Sequence, residues 1–73
     1  MDVSAKREGN QLELALKGEL DHHGARNALR EVEQAIDAAL PKKLVMDLSG
    51  VTFMDSSGIA VLLRAWRRMN ELE

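Results

Sequence analysis

Asp55-Ser56-Ser57-Gly58 sets two hydroxyls beside a carboxylate, just ahead of the apolar run Ile59 to Leu63. Asp21-His22-His23 sets a second carboxylate beside two imidazoles. Three chemistries are open to such groups. A hydroxyl or carboxylate at a helix start can accept the unpaired backbone N–H groups there. A serine hydroxyl at that place can instead carry phosphate, which the positive end of the helix accommodates. A serine activated by a histidine would be a nucleophile.

The nucleophile reading fails on spacing. Met54 and Gly58 flank the serines at the wrong offsets for G-x-S-x-G. The only histidines adjoin Asp21, and a chain of 73 residues has little room for a substrate cavity. There is no glycine-rich phosphate loop with its lysine. Adjacent histidines diverge on a helix and no third ligand accompanies them, so a metal site is not expected. The sequence therefore predicts a protein that is not an enzyme and needs no cofactor.

Composition narrows the classes further. Seventy-three residues make one domain with a small core. With 45% hydrophobic and 30% charged residues, the chain has the balance of an ordinary soluble domain. A net charge of −2 gives no electrostatic footprint for nucleic acid. One Phe, one Trp and no Tyr leave little for base stacking. There is no cysteine for a disulfide or thiolate site. Met1-Asp2-Val3-Ser4 lacks the order of a secretion signal. Ile59 to Leu63 falls far short of the roughly 20 apolar residues that span a bilayer. No membrane association and a cytoplasmic location are expected.

These groups are held by elements that the pattern predicts in order. Residues 3–7 alternate weakly, and Glu8-Gly9-Asn10 signals a turn. Leu12, Leu14 and Leu16 alternate with polar neighbours, which predicts a half-buried strand closed by Gly18. The two segments read as a hairpin. Asp21 is a candidate N-cap for a helix whose core face carries Ala25, Leu29, Val32, Ile36 and Ala39 or Leu40. Arg26, Arg30, Glu33 and Asp37 fall on its other face, and Pro41 stops it. Leu44 to Leu48 is nearly continuous in apolar residues, the pattern of a central strand buried on both faces. Strand, helix and strand then form a βαβ unit.

Ser49-Gly50 is read as the start of a loop, with Phe53 tucked beneath it as an anchor. The last helix is expected to line its core face with Ile59, Leu62, Leu63, Trp66 and Met69. Met46, Met54 and Met69 serve as core filler. Arg64, Arg67 and Arg68 are read as a solvated basic face, with docking of an acidic partner as the alternative. The last strand would stand at a sheet edge, which invites pairing. A homo-oligomer through that edge is one expectation.

Gly18-Glu19-Leu20-Asp21-His22-His23 and Phe53-Met54-Asp55-Ser56-Ser57-Gly58 together resemble the STAS domain family, in its bacterial anti-sigma-factor antagonist branch. The similarity runs from Val3 to Leu72. It implies an α/β fold: a β-hairpin followed by βαβα, with a mixed sheet and helices packed on it. It also implies one STAS-like domain over residues 1–73, shortened by the C-terminal strands and helices usual in the family.

The function implied is regulatory. Such antagonists bind an anti-sigma factor, often a serine kinase, and so release a sigma factor. The kinase ends the interaction by phosphorylating a serine and a phosphatase restores it. The resemblance puts the phosphoacceptor at Ser56, with Asp21, His22, Asp55, Ser57 and Gly58 in the partner-binding and phosphorylation loop. From position alone, Ser56 reads as a helix cap; the resemblance makes it a switch. A STAS-like scaffolding or self-association module without a sigma pathway is the alternative.

Overall fold

The computed structural model describes residues 1–72. Five elements follow in order: β1 (Asp2–Glu8), β2 (Gln11–Leu20), α1 (His22–Ala39), β3 (Lys43–Met54) and α2 (Ser56–Glu71). The sheet order is β1-β2-β3, antiparallel between β1 and β2 and parallel between β2 and β3. This is the expected hairpin followed by a βαβ unit and a second helix, in a mixed sheet. The hairpin closes in two residues, with Gly9 at φ 60 in the first central position. A type II′ turn has its glycine there.

The alternation of β2 decides which face of the sheet is covered. Leu12, Leu14, Leu16 and Leu20 are all buried, and they face Ala25, Ala28, Val32 and Ile36 of α1. Register puts Leu44 and Met46 on the same face, beside Leu12 and Leu14. Val45 and Asp47 share the opposite face with Glu13 and Ala15. That second face carries Ser4 and Lys6 from β1, and among the described residues no helix packs on it. An antiparallel pair with one polar face tolerates such exposure.

The structure corrects several expectations. Among the described residues β3 stands at the edge, as expected of the last strand, but Leu44 to Leu48 are only half-buried and not covered on both faces, and the central strand is β2. A short apolar run cannot by itself report which side of it has a neighbour. β2 does not close at Gly18 but continues to Leu20, and β3 continues past Leu48 to Met54. Irregular register at residues 15–19 of β2 lets both strands pass Gly18 and Ser49-Gly50 without ending. Because 49–54 is strand, Phe53 pairs beside Glu19 and is 52% exposed, not tucked under a loop.

α2 is rotated from its expected orientation. Gly58, Val61 and Ala65 are its buried residues, while Ile59, Leu63 and Trp66 are 52–64% exposed. Leu62 and Met69 remain half-buried. The cause is close approach at the helix start. A Cβ on Gly58 would lie 2.6 Å from Met54 Cγ and 2.9 Å from Leu20 Cγ. Only a residue without a side chain lets the helix seat there, and this fixes which face turns inward.

α1 follows its expected face except at its end. Leu29 and Ala39 are half-buried, but Leu40 is 64% exposed at the C-cap, with φ 47 and ψ 55. Its N–H donates to Ile36 O at 2.8 Å, and buried Pro41 follows. The Lys42 and Lys43 N–H groups then donate to Asn10 O, tying the start of β3 to the hairpin turn.

Candidate functional site

Both candidate motifs arise at one end of the sheet. Leu20 and Met54 are register partners on the parallel strands β2 and β3. The next residue in each strand, Asp21 or Asp55, is the N-cap of the helix that follows. Two helix N-termini therefore emerge side by side from adjacent strand ends. Their partial positive charges lie at the same edge of the molecule. Open α/β sheets place recognition sites at strand C-termini of this kind.

The caps are built from carboxylates. Asp21 Oδ1 accepts the Gly24 N–H at 2.8 Å. Asp55 Oδ1 accepts the Ser57 N–H at 2.8 Å. Gly24 is needed because a Cβ there would meet Glu19 O at 2.1 Å. The Gly24 N–H holds the Asp21 carboxyl below the ordinary aspartate range; partial burial opposes this and the nearby His23 adds to it.

Ser56 is therefore not the cap. It occupies the first helical position, with an exposed side chain. Asp55 stands immediately before it and is half-buried. Ser57 is half-buried and its N–H is taken by Asp55. Gly58 is buried, so its part in this loop is to seat the helix beneath the serines. His22 and His23 are exposed at the start of α1, their rings edge-to-face at 5.6 Å.

Between the first turns of the helices lies a shallow groove of about 420 Å³. Its floor is apolar, including Ala25, Leu29 and Val61, and its rim includes His22, Arg26, Ser57 and Arg64. The sequence singled out His22 and Ser57, and the fold brings them to one groove. It did not single out Arg26 or Arg64 as rim residues. Among the described residues, no three potential ligands gather for a metal ion. No helix among them is long and apolar enough to cross a membrane.

The basic face of α2 is partly spoken for within the chain. Arg64 Nη2 lies 3.2 Å from Glu33 Oε2. Arg68 makes a bidentate pair with Asp37, Nε to Oδ1 at 2.8 Å and Nη2 to Oδ2 at 2.9 Å. The signal was in the sequence: acids at 33 and 37 match arginines at 64 and 68 in spacing. These pairs hold α2 against α1 and so fix the groove walls. Exposed pairs of this kind contribute modestly to stability, and their bidentate geometry serves orientation more than strength.

Comparison with known proteins agrees with this architecture. The STAS domain profile matches residues 2–73. An anti-sigma F factor antagonist of Paenibacillus polymyxa is 30% identical over 71 residues, covering 97% of this chain and 61% of the relative. One of Lysinibacillus sphaericus is 38% identical over 60 residues, covering 82% of this chain and 49% of the relative. The chain thus spans between about half and three-fifths of the length of these relatives.

Among solved structures, the anti-sigma factor antagonist SpoIIAA in its unphosphorylated form aligns with a TM-score of 0.74 and 24% identity. It is matched over 97% of this chain and 66% of its own. The phosphorylated form of the Bacillus cell fate determinant SpoIIAA aligns with a TM-score of 0.73 and 24% identity, over 97% and 65%. At these identities the structures speak for the fold. The strand order, the paired helix starts and the profile match converge: the chain belongs to the STAS domain family.

Proposed function

We propose that this chain acts as an anti-sigma-factor antagonist, with binding to an anti-sigma factor/serine kinase switched by phosphorylation of Ser56. The relatives named as anti-sigma F factor antagonists support the role. One structural observation carries the switch. Asp55 makes the α2 cap and Ser56, at the first helical position, is exposed. The hydroxyl is accessible without opening the fold.

The kinase supplies nucleotide and magnesium; this chain supplies the acceptor. Ser56 Oγ bonds to the γ-phosphorus and gives up its proton, and the bond to the departing nucleoside diphosphate breaks. The product carries about −1.5 to −2 added charges. The N-terminus of α2 tolerates that charge, so the domain stays folded. In a close interface the same charge is costly, because it must be desolvated and repels acidic partner groups. A loss of about 3 kcal/mol lowers affinity roughly a hundredfold. Asp21, His22, Asp55 and Ser57 form the surrounding docking surface. A phosphatase resets the switch by hydrolysing the ester.

Incubation with anti-sigma kinases and ATP, followed by intact-mass measurement, tests this. One phosphate is expected, lost in Ser56→Ala and kept in Ser57→Ala. Phosphate arriving at another residue, or tight kinase binding with none transferred, sinks the proposal. A large backbone rearrangement in the phosphorylated protein would contradict the claim that no refolding is involved.

A further inference from the structure

We propose that the groove between α1 and α2 seats a helix of the anti-sigma kinase, apolar along one side and acidic along its flank, with Arg26 pairing with that acid. The inference rests on the antagonist reading above and names the part of the partner that Ser56 switches. Both walls of the groove lie within residues 22–64. The outer flank of α2, with Ile59 and Trp66, takes no part in it.

The groove follows from helical spacing. α1 contributes His22, Ala25, Arg26 and Leu29, at i, i+3, i+4 and i+7. α2 contributes Ser57, Ala60, Val61 and Arg64 at the same spacing. Each set is one stripe of its helix. Ala25 and Ala60 leave a trough where longer side chains would fill the seam. Leu29 and Leu63 make its walls apolar, and Leu63 is 52% exposed. The Arg64–Glu33 and Arg68–Asp37 pairs hold the two helices at this separation. Two helical turns give the trough a length of roughly 10 Å. Helix-in-groove recognition uses apolar anchors at i, i+3 or i+4, and i+7, which fit that length.

Charge selects the occupant. The chain has 12 acidic residues, yet among the described residues none lines the groove. Its charged lining residues are Arg26 and Arg64. Arg64 is taken by Glu33, whereas Arg26 is exposed and makes no ion pair with a described residue. An uncompensated cation beside an apolar floor complements an acid beside apolar side chains and opposes a basic helix. Ser56 lies where a phosphate would interfere. At about 100° per residue it falls within about 20–40° of Leu63 and Ala60, on the groove side of α2. Phosphate there sets about −1.5 to −2 charges at the head of the groove, against the acid that Arg26 attracts.

A synthetic helix of about three turns, with leucines at i, i+4 and i+7 and glutamates beside them, is the first probe. A version with lysines for those glutamates is its control. Both are titrated into isotope-labelled protein and followed by NMR. The glutamate helix is expected to shift the amides of Ala25, Leu29, Ala60 and Leu63, with the lysine helix about tenfold or more weaker. Arg26→Glu should invert that preference and Arg26→Lys should keep it, which a merely structural arginine would not do. Ala60→Trp, at an exposed position, should block both helices. Ser56→Asp should weaken the glutamate helix alone. Far-UV circular dichroism checks that each variant folds. The kinase that modifies Ser56 is the second probe, and Arg26→Glu should weaken its binding about tenfold. Equal binding of the two helices, amide shifts away from the groove, or a preference unmoved by Arg26→Glu overturns the proposal. A kinase that phosphorylates Ser56 yet binds Arg26→Glu and Ala60→Trp like the parent also overturns it, and leaves the antagonist reading standing. If no kinase modifies Ser56, it is that reading that fails, and the occupant named here falls with it.

Discussion

Asp55 Oδ1 accepts the backbone N–H of Ser57 at 2.8 Å, reaching past Ser56 to do so. One carboxylate thus performs the capping that either serine could have performed, and Ser56 is left exposed between the two.

That division of labour gives opposite expectations for adjacent residues. Asp55→Ala should lower stability by about 1 kcal/mol, as loss of an N-cap does. Ser56→Ala should change it by less than about 0.5 kcal/mol, as an exposed residue away from caps and core does. Denaturant unfolding of both variants, with unchanged slope, checks the assignment. Equal losses would mean that the Ser56 hydroxyl shares in the cap.

Gly58 offers a test of how α2 is seated. Propensity alone would make Gly58→Ala stabilising by about 1 kcal/mol inside a helix. The new methyl would meet Met54 Cγ at 2.6 Å and the buried Leu20 at 2.9 Å. Overpacking typically costs about 1–3 kcal/mol. Met54 can yield, Leu20 cannot, so we expect a net loss of about 1 kcal/mol or more. Thermal unfolding settles the sign.

Leu40 presents the reverse case. It holds a left-handed conformation, φ 47, with most of its side chain in water. A side chain in that region costs about 1–2 kcal/mol, and glycine is the usual residue after a helix end. Glycine loses more backbone freedom on folding, by about 0.5–1 kcal/mol. Leu40→Gly should therefore stabilise the domain by roughly 0.5–1 kcal/mol. The midpoint of urea unfolding should rise.

Acid should loosen the start of α1. The Gly24 N–H lowers the Asp21 pKa in the folded state. A group depressed on folding stabilises the fold above its unfolded pKa, about 3.9 for aspartate. That contribution is complete above about pH 5 and is lost as pH falls through the folded value. In Asp21→Asn the loss of stability between about pH 5 and pH 2 should be shallower than in the parent. Unfolding free energy measured across that range checks it.

Much of this was legible in the chain itself. The alternation of Leu12, Leu14 and Leu16 and the periodicity of Ala25, Val32 and Ile36 specify the hairpin strand and α1, because local spacing alone decides which side chains share a face. The acidic helix start at Asp21 was readable for the same reason, whereas at the second helix, position alone put the cap on Ser56. What the tertiary structure decided were relationships between elements. How deeply Leu44 to Leu48 are buried depends on what packs against β3, not on its own apolar run. Which face of α2 turns inward depends on Gly58 meeting Leu20 and Met54 across the sheet. The exposure of Ser56 depends on Asp55 winning the cap, a competition among three polar side chains that only folded geometry resolves.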